Sequence, residues 1–301
     1  MYNLKVYEGY KITMVEKINT QKSNNLHYVE TGNPDSLSPT VILCHGWPDD
    51  ELLWKSMTKQ GLSDTYYCCA LRLPNSGESG SNGIPATFNE IVFLVYRTIK
   101  LIQQRRGRCH DKVILVGHDW GAYLAYLFER DYPECVNRLI TIDVGYDFSF
   151  NLLDTIIILI YQWYLAFSFM VGLIFPRVGT HLVRLFASAC QHGEGTPTPL
   201  NRIYCNSAQY YACFHLAYWF TPVVNPLSPL LDNYKPRCPL LYLYPTGNRG
   251  LTPTFHSESM LKQIKERRDG SNAVEIKNAG HWVVYHQAKR CTTEIVNWLK
   301  K

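Results

Sequence analysis

The sequence has no CxxC pair, a modest share of charged residues and no strong charge of one sign. Without a CxxC pair, a cysteine zinc site is not expected, and no metal or cofactor is called for. Charged residues make up 18% of the chain, below the usual quarter. The 30 Lys and Arg against 25 Asp and Glu leave +5, spread along the chain, which argues against a nucleic-acid partner. The opening stretch MYNLKVYEGYKITMVEK has no basic region followed by an apolar core and a small-residue cleavage site. A reducing, cytoplasmic setting is therefore expected. The ten cysteines, Cys44, Cys68 and Cys69 among them, then read as buried small hydrophobes.

What is present is apolar and aromatic. Hydrophobic residues reach 46% and aromatics 13% over 301 residues, enough for a sizeable core and a ring-lined cavity. Disorder and collagen-like repetition are excluded. The first forty residues alternate in short runs, predicting an antiparallel strand pair. Then TVILCHGW, TYYCCALRL, KVILVGHDW, RLITIDVGY, PLLYLYPTG and AVEIKNAGHW each read as a strand buried on both faces. Helix-like stretches separate most of them, so a mostly parallel sheet with helices on both faces is expected. Polar residues just beyond such strands line the site.

Between Asp147 and about Tyr234 the alternation stops, and a helical, aromatic insertion reads as a cap on the sheet. The predicted division is a core of residues 1–147 and 236–301 with a cap of 148–235. Leu152 to Phe175 carries one formal charge, Asp154, and is long enough to cross a bilayer. Asp154, Gln162 and Ser168, and its place between two halves of one sheet, favour a cap helix. Peripheral membrane contact through the cap stays open, as does a true span.

The strongest local signal is Gly117-His118-Asp119-Trp120-Gly121, where a buried strand meets a helix. Small flanking residues permit the strained turn of a nucleophile elbow, with Asp119 at its tip. A carboxylate is ionised at pH 7 and attacks an electrophilic carbon without prior deprotonation, forming an ester. A plain helix cap at Asp119 would fit the same residues. Upstream, His45-Gly46-Trp47-Pro48 bends the chain, so that the N–H of Trp47 could join that of Trp120 in an oxyanion hole. His281, after the last strand, stands where a general base is expected. His256 and His286 read as surface or packing residues.

With HGWP, GHDWG, the LPNSGES loop, a cap and AGHW in this order, the chain resembles an α/β-hydrolase of the epoxide hydrolase and haloalkane dehalogenase group. The resemblance implies Asp119 as nucleophile, His281 as the base that activates water, and Trp47 and Trp120 as oxyanion-hole donors. It implies a hydrophobic small-molecule substrate and water as partners, and no cofactor. Two positions depart from the pattern. Where many relatives place the acid that supports the histidine, this chain has Asn248; some relatives carry it after the strand before the cap, where Asp143 stands. Asp143 is the expected acid, with Asp147 in reserve, and a turn-capping role for Asp143 is the alternative. The second departure is Arg72, at the usually acidic start of the LPNSGES loop, read as structural variation.

Epoxide opening needs a proton on the departing oxygen, and such relatives supply it from two cap tyrosines. Of Tyr161, Tyr164, Tyr204, Tyr210, Tyr211 and Tyr218, the expected pair is Tyr164 and Tyr218, one from each helical half of the cap. Trp47, where many dehalogenases have Asn or Glu, favours an epoxide over a haloalkane. Dehalogenase or ester hydrolase chemistry at Asp119, and a non-catalytic binding protein, are the alternatives.

Overall fold

The computed structural model describes residues 6–7, 10–11, 25–81, 83–194, 198–224, 231, 233–247 and 252–301. A short antiparallel pair, β1 (Val6–Tyr7) and β2 (Tyr10–Lys11), precedes β3 (His27–Thr31). All six apolar runs are strands: β4 (Thr40–Cys44), β5 (Tyr67–Arg72), β6 (Val113–His118), β7 (Val136–Ile142), β8 (Leu240–Thr246) and β9 (Asn272–Lys277). They join β3 in a seven-stranded sheet of order β3-β5-β4-β6-β7-β8-β9. Only β3 is antiparallel, pairing with β5 at the edge. The antiparallel pair expected in the first forty residues is thus two separate pairings. NLHYVETG finds its partner in the main sheet.

Alternate residues of each strand point to opposite faces, and both faces are covered. Ile42, Leu115, Leu139 and Tyr242 pack on one side with α1 (Phe88–Arg105) and α2 (Trp120–Asp131). Val41, Leu43, Val116 and Leu241 pack on the other, against Trp54, Ile295 and Trp298. A strand buried on both faces needs no polar alternation, hence the unbroken apolar runs.

Between β7 and β8 lie α3 (Leu152–Ile174), α4 (Pro176–Glu194) and α5 (Gln209–Val224). Asn151 caps α3 through the N–H of Asp154, and Pro176 opens α4, a first-turn position where its missing N–H costs nothing. Gly172 and Gly179 let the two helices touch: a Cβ on Gly179 would stand 2.4 Å from the Gly172 Cα. Leu165, Phe169 and Val183 from this layer form a third cluster with Trp47 of the sheet loops. Later come α6 (Glu258–Glu266) and α7 (Ala288–Leu299).

Candidate active site

Three strand ends converge. Asp119 follows β6 with φ 54° and ψ −128°, a strained conformation for a residue with a Cβ and one that marks functional turns. The flanking glycines make it possible, since a Cβ on Gly117 would lie 2.3 Å from the Gly121 carbonyl oxygen. One on Gly121 would lie 2.1 Å from that of Cys44. Gly46 is equally confined, its Cβ position falling 2.2 Å from Asp119 Oδ1. Asp119 does stand at the N-cap position of α2, but its Oδ1 accepts two N–H groups, from Trp120 at 2.5 Å and from Trp47 of a different loop at 3.0 Å. Helix capping alone does not require the second donor.

His281 is buried in the turn after β9. Its Nε2 lies 3.5 Å from Asp119 Oδ2 and its Nδ1 lies 2.5 Å from Asp143 Oδ2. Asp143 follows β7, is itself buried, and is fixed through its backbone: its N–H donates to Leu243 and its carbonyl accepts from the Tyr242 hydroxyl. Asp147, the reserve acid, is instead held by Ser257, whose hydroxyl donates to its carboxylate. Asn248 lies outside the described residues. Burial disfavours the His281 imidazolium, yet the carboxylates of Asp143 and Asp119 outweigh it and raise the pKa to about 10. Before reaction the ring therefore carries a proton between two carboxylates.

Neighbouring histidines play other parts. His118 donates from Nε2 to the carbonyl of His281 at 2.8 Å, and burial, helped by the charge on His281, lowers its pKa to about 4. His118, Asp143 and His281 come close enough together to raise the question of a metal. Asp143 and His281 are directly hydrogen-bonded to each other, however, and His118 commits its Nε2 to a backbone carbonyl. His45 ties the loops together, with Nδ1 facing Gly46 O and Nε2 facing the Leu73 N–H. His256 packs on Tyr242 and Tyr244, and His286 is exposed.

Arg72 is a structural ion-pair member. Its guanidinium pairs with buried Glu51 at 2.5 Å, and Glu51 also meets Arg202, which binds Asp50 at 2.7 Å. Arg202 comes from the chain between α4 and α5. The departure read as structural variation thus belongs to a network joining the insertion to the chain just after HGWP.

Above Asp119 is an apolar cavity of about 360 Å³, lined by Trp120, Tyr123, Tyr161, Tyr211 and Phe214 among others. Tyr161 and Tyr211 reach it from α3 and α5, rings 6.0 Å apart and nearly perpendicular. Burial raises both phenol pKa values, with Asp119 adding to the rise, despite opposing hydrogen bonds from Gln162 and Trp120 respectively. Both hydroxyls stay protonated at neutral pH. The structure does not bring the expected pair together. Tyr164 is turned toward α4, its hydroxyl donating to the Leu182 carbonyl at 3.0 Å. Tyr218 does line the cavity, but at its mouth and 57% exposed. Tyr211 and Tyr218 are seven residues apart, hence on one helix face but about 10 Å apart along it. The aromatic pattern identified the face but not the depth.

The description "Alpha/beta hydrolase family" belongs to the family model that matches residues 41–293. Epoxide hydrolase 1 of Caenorhabditis elegans is 31% identical over 132 residues, 43% of this chain and 30% of that protein. Epoxide hydrolase 3 of Xenopus tropicalis is 23% identical over 294 residues, 91% of this chain and 74% of that protein. The stronger local matches thus span about a third of the relatives' length. Among solved structures, a mutant epoxide hydrolase from Bacillus megaterium bound to its diol product superposes with a TM-score of 0.63 at 19% identity, covering 92% of this chain and 97% of that one. A haloalkane dehalogenase variant from Bradyrhizobium elkanii gives 0.62 at 15% identity, covering 91% and 92%. At such identities these likenesses establish the fold, and with the family match over residues 41–293 they lead to one statement: the chain belongs to the alpha/beta hydrolase family.

Proposed function

We propose that the protein hydrolyses an epoxide of a hydrophobic molecule to a diol, with residues 1–147 and 236–301 as the core and 148–235 as the cap. One observation carries the reading: Asp119 lines the cavity, with its Oδ1 held by two backbone N–H groups and its Oδ2 facing His281 Nε2. One oxygen held by backbone N–H groups and the other turned to a histidine suit a carboxylate nucleophile, and a serine hydrolase would have no use for them.

In the first step Oδ2 attacks an epoxide carbon, the ring C–O bond breaks, and the departing oxygen takes a proton from Tyr161 or Tyr211. This leaves a glycol ester and a tyrosinate. Esterification removes the Asp119 charge, one of the two that raise the His281 pKa, so the ring gives up its proton more readily and is free to act as the base in the second step. The released proton drains to solvent, and His281 Nε2 then takes one from water as that water attacks Asp119 Cγ. The N–H groups of Trp47 and Trp120 hold the oxyanion, while Asp143 stabilises the imidazolium. On collapse the diol leaves protonated by His281, the regenerated Asp119 carboxyl passes its proton to His281, and the tyrosinate recovers from solvent the proton released earlier.

Diol formation from aryl and fatty epoxides, set against halide release from haloalkanes and acid release from esters, tests the reading. Tyr161→Phe and Tyr211→Phe are each expected to lower kcat on an epoxide by about 10²-fold or more, whereas Tyr218→Phe and Tyr164→Phe should change it little. Equal effects at all four positions would remove the tyrosine assignment.

A further inference from the structure

The outer side of α3 is unlike the surface of a soluble helix. Ile156, Ile160, Trp163, Phe167, Met170 and Ile174 follow one another at intervals of three or four, forming an apolar stripe. Ile160, Phe167 and Ile174 are 66%, 61% and 73% exposed. The opposite side, with Leu165, Phe169 and Gly172, is buried against the other inserted helices. The helix is therefore apolar all round but covered on one side only, and it is long and apolar enough by composition to cross a membrane. Crossing would pull Leu165 and Phe169 out of the cluster that holds Trp47 beside Asp119. Lying flat would not.

We infer that this stripe seats α3 in the boundary between headgroups and acyl chains of an anionic lipid surface. Two observations select lipid as the occupant. Just past the end of α3, the start of α4 brings Arg177, His181 and Arg184 to a cleft with no carboxylate in its lining. Arg177 is exposed, and a cation beside an inserted apolar face is what an anionic headgroup layer attracts. At its other end the stripe runs into the cavity mouth, where Phe148, Leu159 and Tyr218 are both exposed and cavity-lining. An apolar molecule could pass from acyl chains to the cavity without crossing water. A second copy of the chain on the same face would cover that mouth. The docking is independent of the chemistry at Asp119; only the delivery of substrate rests on the proposed function.

The test uses the purified full chain and flotation with vesicles of phosphatidylcholine, with or without phosphatidylserine. Wild type should float with the mixed vesicles, and Ile160→Gln, Phe167→Gln and Ile174→Gln combined should weaken binding on the order of a hundredfold. Arg177→Gln should cost roughly fivefold, and only when phosphatidylserine is present. None of these four residues lines the cavity above Asp119, and circular dichroism should match wild type. As a readout without a stripe deletion, brominated lipid should quench Trp163, as judged by comparison with Trp163→Phe. Four results would overturn the inference: wild type that never floats, a triple variant that floats like wild type, carbonate-resistant association released only by detergent, or a dimer that the triple variant dissolves in place of vesicle binding. Because binding is read without turnover, a chain that docks but opens no epoxide would fail the proposed function alone.

Discussion

Asp143→Asn is expected to lower epoxide turnover by about 10³- to 10⁴-fold. The scale is that of the corresponding Asp-to-Asn change in serine proteases, where the histidine loses its charged partner. Asparagine could keep a hydrogen bond to His281 Nδ1, which lies 2.5 Å from Asp143 Oδ2, but it cannot balance an imidazolium. The His281 pKa, raised to about 10 chiefly by Asp143 against the effect of burial, should fall. The sign of the stability change follows. A folded-state pKa above the unfolded value of about 6.5 gives stability that is fully present below that pH and fades as pH rises towards 10. Wild type should therefore exceed the variant most at acid pH in denaturant titrations, and least in alkali. Asn248→Ala should reduce kcat far less than Asp143→Asn. The reverse ranking would reject Asp143 as the supporting acid.

Asp119→Asn is expected to be the most damaging single change, lowering turnover by at least about 10⁴-fold. Asparagine is nearly isosteric and tolerates the positive φ of 54° at this position, so the elbow should survive. What it loses is the charge and the nucleophilic oxygen. Titration of His281 by NMR gives an independent check, since removal of the Asp119 charge should lower its pKa while Asp143 stays in place. A variant with most of its activity would show that another group opens the substrate.

The sheet was legible because its strands are buried on both faces, so Val113–His118 and Leu240–Thr246 stand out as apolar runs wherever helices separate them. The elbow was legible because only glycine fits at Gly117 and Gly121, fixing a spacing that survives in the sequence. Asp143 was accessible through topology, since β7 lies beside β6 and β8 and delivers its end residue to the same edge. The tyrosines were not. A helix rich in rings shows which residues are aromatic, whereas the distance of each from Asp119 depends on how α3 and α5 are set over the sheet. Arg72 was legible as structural variation but its role was not: its partner Glu51 also binds Arg202 from the insertion, a link made only in the fold.

The central claim is an ester on Asp119, and His281→Gln tests it most directly. A serine nucleophile needs its histidine for the attack itself, but a carboxylate does not. Once wild type has been shown to turn over a given epoxide, the variant should open it and stall, because no base activates the hydrolytic water. Intact-mass spectrometry should show the protein heavier by the whole mass of the epoxide, since ring opening expels nothing, with fragmentation placing the adduct on the peptide containing Asp119. A haloalkane would instead add its mass less that of hydrogen halide. An adduct on another residue, or none at any time with an epoxide that wild type hydrolyses, would contradict the account.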